Sequence, residues 1–280
     1  MNNTKTGWER ENRVHFDEIA VNYDKYRWDY PAELFVDAIG YSGHGNGKKA
    51  IEIGAGTGKS TTPFLDAGYD VTAIEMSVNM SAFLLDKFKE HPNFDVITST
   101  FEDARLDDDS YDLIYSASAF HWIDADVGCP KVMRLLKNGG AFVLFRNNAV
   151  RSNEAGIFEA VNEAYEKHYY AHYPNHRRPI DIFKMTCEDF LKPDEIYRGF
   201  RFNSLQEYGF ADVTMKLYNA TRVYAPDEYI SLMDTMSDHR ALPEHYREAL
   251  YADIKKAIVN HGGQMEMSFI FQLYMGRKIV

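Results

Sequence analysis

The 280-residue chain has little of what marks a secreted, membrane-spanning or disulfide-stabilised protein. Its two cysteines, Cys129 and Cys187, are too few for a disulfide scaffold and lack the spacing of metal ligands, which favours a reducing, cytoplasmic environment. No stretch approaches the ~20 apolar residues of a membrane helix. The first residues contain no apolar run, so no signal peptide is expected. A soluble protein without a membrane partner is predicted.

Basic charge is also scarce, since 31 Lys and Arg stand against 42 Asp and Glu and leave a net charge of −11. Binding a phosphate backbone requires a basic face, so this balance argues against a nucleic-acid partner. The only strong basic cluster is His176-Arg177-Arg178. Hydrophobic content of 45% is ordinary for a globular protein, and the length is sufficient for one domain with an insertion. Monomer and homodimer both remain open.

The most informative feature that is present is the run Ala50-Ile-Glu-Ile-Gly-Ala-Gly-Thr-Gly58. A short apolar strand leads into three alternate glycines, which permit a tight turn and a close approach of backbone N–H groups to a ligand. Glu52 adds a carboxylate just before the turn. A phosphate site would avoid that anion, whereas a ligand with an ammonium group would favour it. This combination indicates S-adenosylmethionine, whose methionyl end carries an amine and a sulfonium.

Two other glycine motifs do not fit this loop. A P-loop ending in Gly58-Lys59-Ser60 would need glycine at position 53, which is Ile53. The dinucleotide fingerprint G-x-G-x-x-G would need its third glycine at position 59, one residue after Gly58. A glycine-rich turn with no ligand remains the structural alternative.

A second acidic strand end supports a ligand at this loop. The run Tyr69 to Glu75 reads as a strand, and Glu75 follows Gly56 by 19 positions. An acid about 20 residues beyond a glycine loop is suited to the two hydroxyls of a ribose. The alternative role of Glu75, at the start of the next helix, belongs more naturally to Ser77, a favourable N-cap residue.

Strand and helix patterns alternate over about 100 residues, which predicts an α/β fold with a parallel sheet covered on both faces. The last helix of this series is expected to end at a glycine C-cap, Gly139-Gly140. The predicted strands are 50–53, 69–75, 94–99, 110–117 and 141–145, and the predicted helices are 60–67, 77–89 and 127–136.

The chain from Phe16 to Phe145 resembles the class I S-adenosylmethionine-dependent methyltransferases. The Phe120-His121-Trp122 segment is similar to the type 11 subgroup of small-molecule enzymes that includes trans-aconitate methyltransferases. The resemblance implies a Rossmann-like seven-stranded sheet whose last strand is antiparallel. It rests on residues 51–58, 71–75, 101–102, 111–114, 120–122 and 135–140.

The resemblance also implies a role for each matching residue. Glu52 would lie near the ammonium group, Glu75 would bind the ribose hydroxyls, and Ser116 would face the sulfonium. Thr100 stands where the family often has an aspartate that contacts the adenine amine. The cofactor-binding residues expected on this basis are Glu52, Gly54, Ala55, Gly56, Gly58, Glu75, Met76, Thr100, Phe101, Glu102 and Ser116, with Tyr23 and Arg27 from the N-terminal segment.

Four segments are predicted. Residues 1–45 form a helical lid, for which an ordinary amphipathic helix on the sheet is the alternative, and 46–150 form the cofactor-binding core. Residues 151–205 form a mainly helical insertion after the fifth strand, too long and aromatic for a linker, that caps the substrate side; a surface subdomain is the alternative. Residues 206–280 complete the fold with strands 213–222 and 266–275 and helices 226–235 and 243–261.

Helical periodicity within the insertion predicts a helix from Ala155 to His168. The insertion also contains His168, His172 and His176 at helical i, i+4, i+8 spacing, the pattern of a metal site. Pro174 interrupts the helix before the third histidine, so no metal is predicted.

The predicted acceptor site contains His121, Trp122, Arg146 and Arg177. His121 is the candidate general base, because an imidazole titrates near working pH, and a pocket-shaping histidine is the alternative. Arg146 and Arg177, with Arg178, are suited to clamping a carboxylate. A small-molecule methyltransferase is therefore predicted, with a catalytically inactive S-adenosylmethionine-binding module and a dinucleotide oxidoreductase as the other classes.

Overall fold

A computed structural model of the protein describes residues 20–150, 155–176 and 204–279. Seven strands form one mixed sheet in the order β3-β2-β1-β4-β5-β7-β6, and the last strand is antiparallel. This confirms the predicted Rossmann-like α/β sheet. The strands are β1 Lys49–Ile53, β2 Asp70–Glu75, β3 Phe94–Thr98, β4 Tyr111–Ala117, β5 Leu136–Val150, β6 Ala211–Tyr224 and β7 Met265–Arg277.

Strand β1 lies in the middle of the parallel part of the sheet. It pairs with β2 on one side, where Ile53 is opposite Ile74, and with β4 on the other, where Glu52 is opposite Tyr115. Residues 50–53 are buried, as expected for a strand covered on both faces. The strand order reverses between β1 and β4, and ligands of open α/β sheets bind at the carboxyl ends of the strands at such a point.

Helices follow the parallel strands, and their starts have recognisable signals. Ser77 is the N-cap of the helix after β2, and its hydroxyl accepts a hydrogen bond from the Met80 amide at 3.0 Å. Asp124 caps the helix after β4 in the same way, accepting from Asp126 N at 3.0 Å. The helices are α1 Ala20–Tyr26, α2 Ala32–Ser42, α3 Thr61–Asp66, α4 Val78–Lys87, α5 Ala125–Leu135, α6 Ala155–Ala164, α7 Ser204–Glu207, α8 Pro226–Met233, α9 Ser237–Arg240 and α10 Glu244–Asn260.

Two local predictions are wrong. Gly139 and Gly140 do not cap a helix: α5 ends at Leu135 and β5 begins at the next residue, so both glycines lie inside that strand. Gly139 nonetheless adopts a positive φ of 81°, which explains its turn-like sequence signature. The helix expected to continue from Ala155 to His168 instead changes after Ala164 into a π-helix at Tyr165–Tyr169.

The chain forms two compact units. The core unit contains residues 29–148, 204–219 and 270–279 of the described chain, and the second unit contains 20–28, 149–150, 155–176 and 220–269. Residues 20–28 and 155–176, predicted as parts of a lid and a cap, thus belong to one unit. Their roles as lid and cap remain predictions.

Aromatic rings fill one side of the core unit. Phe64 packs against Tyr115 with ring centroids 4.1 Å apart, and Phe145 lies 6.3 Å from Phe64. Phe35 and Tyr30 contact the same group of rings. Burial of these rings contributes most of the stabilisation of this face of the sheet, and it holds the carboxyl ends of β4 and β5 in place.

Candidate active site

The loop after β1 has a backbone shape that strongly favours glycine. Gly54, Gly56 and Gly58 have positive φ values of 67°, 58° and 74°. A Cβ on Gly54 would lie 2.5 Å from the Cβ of Ala119, and one on Gly58 would lie 2.5 Å from the ring of Phe88. Gly54 N donates to the carbonyl of Ile74 at 2.8 Å, which ties the loop to β2. The glycines therefore serve both turn geometry and close packing.

Glu75, the last residue of β2, closes the other side of this loop. One carboxylate oxygen accepts the Gly56 amide at 2.8 Å, and the other accepts the Ser77 amide at 2.9 Å. The residue is 7% exposed. Next to it, Met76 is half-buried. The structure thus brings the two predicted halves of the cofactor site, the glycine loop and the acid 19 residues later, into direct contact.

Glu52, predicted to lie near the ammonium group of the cofactor, is enclosed at the base of the glycine loop. Its side chain is 0% exposed, and its carboxylate accepts hydrogen bonds from three hydroxyl groups: Ser60, Thr61 at 2.5 Å and Tyr115 at 3.0 Å. Direct contact with an ammonium group is therefore not made in this conformation. Glu52 instead links the end of β1 to the start of α3 and to β4, and so holds the base of the glycine loop.

Burial changes the protonation of this carboxyl group. Enclosure in the protein interior raises the pKa of Glu52 to about 7, although the hydrogen bonds from Ser60, Thr61 and Tyr115 oppose that rise. The nearby charge of Glu75 acts in the same direction as burial. Glu52 is therefore a group that changes charge near neutral pH.

The predicted adenine-binding segment follows β3. The hydroxyl of Thr100 donates to Asp103 at 2.8 Å and accepts the Asp103 amide at 3.2 Å. Phe101 is buried in the hydrophobic core. Lys131 from α5 donates to the carbonyls of Phe101 and Glu102, at 2.6 and 3.0 Å, and fixes the backbone here. The ring of Phe101 is thus mainly a core group, and Thr100 and Glu102 are the more accessible members.

Ser116 and Ala55 are less open than predicted. The Ser116 hydroxyl is buried and donates to the carbonyl of Ile53 at 2.8 Å, across the β1–β4 pair. Its predicted position facing the sulfonium therefore remains a prediction. Ala55 is also buried, so only its backbone is suited to a cofactor contact.

The Phe120-His121-Trp122 segment forms a single 3₁₀ turn beyond the end of β4. Phe120 is buried in the core, which anchors the turn, while His121 is exposed and Trp122 is half-buried. The His121 and Trp122 rings lie 5.1 Å apart. The turn thus presents an imidazole and an indole beside the carboxyl end of β4, as the prediction requires.

Arg146 lies just past the last residue pair of β4 and β5, Ala117 with Phe145. Its side chain is half-buried, and its charge is close enough to Tyr274 to oppose the burial that raises the pKa of that phenol to about 12.

Sequence analysis did not identify a hydrogen-bonded chain at this same end of the sheet. Tyr30 donates to the hydroxyl of Ser118 at 2.9 Å, and Ser118 donates to the amide oxygen of Asn147 at 2.8 Å. The sequence signal for this hydrogen-bonded chain is weak, since it consists only of Ser118 and Asn147, two polar residues that each follow an apolar strand core. The three members are far apart in sequence, so no local pattern reveals them.

The remaining predicted residues belong to the second unit or lie outside the described residues. In the second unit, Arg27 donates to the hydroxyl and the carbonyl of Thr235, each at 2.8 Å, and its guanidinium stacks over the ring of Tyr23. His168 pairs with Asp253 at 2.8 Å. No cluster suited to a metal ion occurs within residues 20–150, 155–176 and 204–279. Arg177 and Arg178 lie outside the described residues.

In a comparison with known protein families, residues 51–144 match a methyltransferase domain. An uncharacterized methyltransferase of Schizosaccharomyces pombe is 24% identical over 271 residues, covering 94% of this chain and 97% of that protein. One of Mycobacterium tuberculosis is 32% identical over 138 residues, or 49% of this chain and 54% of that protein. The chain therefore spans about half of the mycobacterial relative and nearly all of the yeast one.

Solved structures show the same fold. A protein of Anaeromyxobacter dehalogenans assigned as a type II methyltransferase superposes with a TM-score of 0.60 at 18% identity, over 91% of this chain and 99% of its own. Phosphoethanolamine N-methyltransferase 2 of Haemonchus contortus, solved with S-adenosylhomocysteine, gives 0.52 at 13% identity, over 99% of this chain and 61% of its own. None of the helices in the described ranges is long and apolar enough to cross a membrane.

Proposed function

We propose that this chain, in which residues 51–144 match a methyltransferase domain, is an S-adenosylmethionine-dependent methyltransferase that transfers the methyl group to a small-molecule acceptor. We infer that the acceptor is anionic, with a carboxylate as the simplest case. The exposed imidazole of His121 favours one alternative, in which a hydroxyl or amine acceptor transfers its proton to that ring. The low cysteine count is consistent with a cytoplasmic enzyme.

The position of Glu75 at the glycine loop is the main support for the way we place the cofactor. A carboxylate has about four lone-pair positions, so one that accepts backbone amides is also suited to hydroxyl donors. We assign the ribose hydroxyls to Glu75 and the methionyl part to the backbone of the loop from Gly54 to Gly58. We assign the adenine to Met76 and to the segment from Thr100 to Glu102.

When bound, S-adenosylmethionine supplies a methyl group that its sulfonium already activates. The task of the protein is then to hold an acceptor in line and to keep water away. Trp122 supplies an apolar wall at the carboxyl end of β4, and His121 supplies a polar contact. A carboxylate acceptor needs no general base, whereas a hydroxyl or amine acceptor would transfer a proton to His121.

Charge supports an anionic acceptor. The protein as a whole is acidic, with a net charge of −11. A basic side chain near the end of a strand is therefore a candidate to bind an anionic acceptor. Arg146 occupies such a position, directly after the last β4–β5 residue pair. A guanidinium binds a carboxylate through two parallel hydrogen bonds. Arg177 and Arg178 are predicted to add to this positive charge.

The first test is calorimetric titration of S-adenosylmethionine into the Glu75→Ala and Glu75→Gln variants. We expect each to bind more weakly by about 1–3 kcal/mol, because ribose hydroxyls lose a charged acceptor. Glu33→Gln, which neutralises an exposed carboxylate on α2, is the matched control and should bind normally. Unchanged affinity in both Glu75 variants, or preferred binding of a nicotinamide dinucleotide, would contradict the assignment.

The second test measures transfer of a labelled methyl group to panels of small acids, small amines, proteins and RNA. Turnover of small acids is expected. Trp122→Ala should lose activity while retaining donor affinity, because we place the indole on the acceptor side. Turnover confined to protein or RNA would reject a small-molecule acceptor.

A further inference from the structure

Three side chains of the core unit form a directed hydrogen-bond chain across the ends of β4 and β5. The phenol of Tyr30 donates to Ser118 Oγ at 2.9 Å, and Ser118 Oγ donates to Asn147 Oδ1 at 2.8 Å. A hydroxyl has one hydrogen to donate, so a Ser118 that accepts from Tyr30 and donates to Asn147 completes the chain with a defined direction.

That direction fixes the orientation of the Asn147 amide. Because the amide oxygen of Asn147 accepts from Ser118, its NH₂ group is turned away from the chain with two hydrogens to donate. Among the described residues, this nitrogen has no hydrogen-bond partner, and the side chain is half-buried. An NH₂ group that is held in this orientation at the edge of the sheet is suited to donate hydrogen bonds to an oxygen atom of a ligand.

Ser118 is held in a costly backbone conformation. Its φ is +54°, a region that residues other than glycine rarely adopt. Its amide donates to the carbonyl of Phe145 at 2.9 Å, which holds it against β5. Such strain persists where the surrounding structure enforces it, and it concentrates at functional sites.

The hydrogen-bonded chain of Tyr30, Ser118 and Asn147 lies beside the glycine loop. Ser118 is followed by Ala119, whose Cβ lies 2.5 Å from where a Cβ on Gly54 would be, so the segment touches the glycine loop directly. Ser118 is also only three residues before His121. Asn147 follows Phe145, the last residue of β5 paired with β4. Ser118 thus follows the carboxyl end of β4, and Asn147 lies just past the part of β5 that pairs with β4, at the edge of the parallel strands where ligands of this fold class bind.

We propose that Asn147 binds the acceptor by donating its amide hydrogens to an anionic oxygen, and that Ser118 and Tyr30 are positioning residues that hold the amide in this orientation. This inference rests on the proposed function and names the group that selects an anionic acceptor. A neutral double donor suits a site beside a sulfonium. It attracts an anionic oxygen without placing a further positive charge next to the cofactor.

The test is calorimetric titration of citrate and succinate into protein saturated with S-adenosylhomocysteine. Asn147→Asp keeps the size of the side chain but replaces its donor with an anion, and we expect it to weaken citrate binding about tenfold or more. Ser118→Ala and Tyr30→Phe should each weaken it about threefold, since the amide is then free to turn. Affinity for S-adenosylhomocysteine should stay unchanged in all three.

The Ser118→Gly variant separates the effect of the Ser118 hydroxyl on the orientation of Asn147 from the effect of backbone strain. Glycine accepts the positive φ of this position but has no hydroxyl, so it relieves strain and still breaks the hydrogen-bond chain. If the hydroxyl positions Asn147, Ser118→Gly and Ser118→Ala weaken citrate binding equally. With any acid that the wild type methylates, Asn147→Asp should raise KM with little change in kcat. A Ser118→Gly variant that binds citrate like the wild type, with only Ser118→Ala impaired, would reject the positioning role.

The two proposals fail in different ways. If citrate binding depends on Asn147 but no small acid is methylated, the proposed acceptor reaction is wrong and the anion site stands. If small acids are methylated and Asn147→Asp binds and turns them over like the wild type, the reaction stands and this inference is wrong. A wild type that binds neither citrate nor succinate overturns the inference as well.

Discussion

At the residue scale, Glu52 shows how one side chain combines structural and electrostatic roles. Its pKa is raised to about 7 from an ordinary value of 4.5, first because burial penalises the charge. Between pH 4.5 and pH 7, the Glu52 carboxyl group is protonated in the folded protein but has lost its proton in the unfolded chain. The folded state is therefore favoured below pH 4.5, and this contribution is lost as the pH rises through 7.

Glu52→Gln should remove this pH dependence, because an amide of the same shape cannot ionise. Between pH 5 and pH 8, we expect the free energy of unfolding of the wild type to fall by about 2–3 kcal/mol relative to that of the variant. Urea unfolding of both proteins at the two pH values measures the difference. Parallel pH profiles would show that Glu52 does not titrate in this range.

Asp238, in the second unit, is a buried acid with one partner. It is 6% exposed, and one oxygen accepts from the phenol of Tyr169 at 2.6 Å. Within the described residues, its other oxygen and Nδ1 of the adjacent His239 have no hydrogen-bond partner. Burial lowers the pKa of His239 and so favours its neutral form. The carboxylate therefore depends on a single hydroxyl group.

Tyr169→Phe should destabilise the protein by about 1–3 kcal/mol, since it leaves a buried carboxylate without its donor. Adding Asp238→Asn should recover part of that loss, because the unpaired group is then neutral. Thermal or urea unfolding of the two variants and the wild type gives the comparison. A Tyr169→Phe protein as stable as the wild type would mean that water satisfies Asp238.

At the element scale, sequence patterns predicted the strands and helices of residues 50–145 and most of those that follow. Apolar runs of four to eight residues identified β1 to β4, and Ser77 was expected to be the N-cap of α4, which it is. The predicted C-cap at Gly139 was wrong because a glycine with a positive φ inside a strand has the same sequence signature as a helix C-cap. The π-helix after Ala164 has no sequence signal, since it differs from an α-helix only in hydrogen-bond register.

The glycine loop allows a matched test of element geometry. Gly54 and Gly47 have similar φ values, 67° and 72°, but an added Cβ clashes only at Gly54. Gly47→Ala should therefore cost only the backbone strain, about 1–2 kcal/mol, and bind S-adenosylmethionine normally. Gly54→Ala should cost more and lose cofactor affinity. Equal effects on unfolding and calorimetric binding would contradict a loop packed against Ala119.

At the scale of the whole molecule, the sequence predicted one sheet and an acidic protein, but not its division into two units. Each unit combines segments that are far apart in the chain, such as 20–28 with 220–269, and such pairings depend on long-range packing. The same limitation applied to the site. Glu75 could be predicted because it lies only 19 residues after Gly56 in the sequence. Tyr30, Ser118 and Asn147 come together only after folding. The buried positions of Glu52 and Ser116 were likewise invisible in the sequence.

The central claim is that the glycine loop and Glu75 together hold S-adenosylmethionine. A crystal structure of the protein with S-adenosylhomocysteine tests it most directly. The account predicts both ribose hydroxyls within hydrogen-bond distance of the Glu75 carboxylate and the homocysteine part along the backbone from Gly54 to Gly58. A complex in which Glu75 retains only its Gly56 and Ser77 partners, with the ligand bound elsewhere, would contradict it.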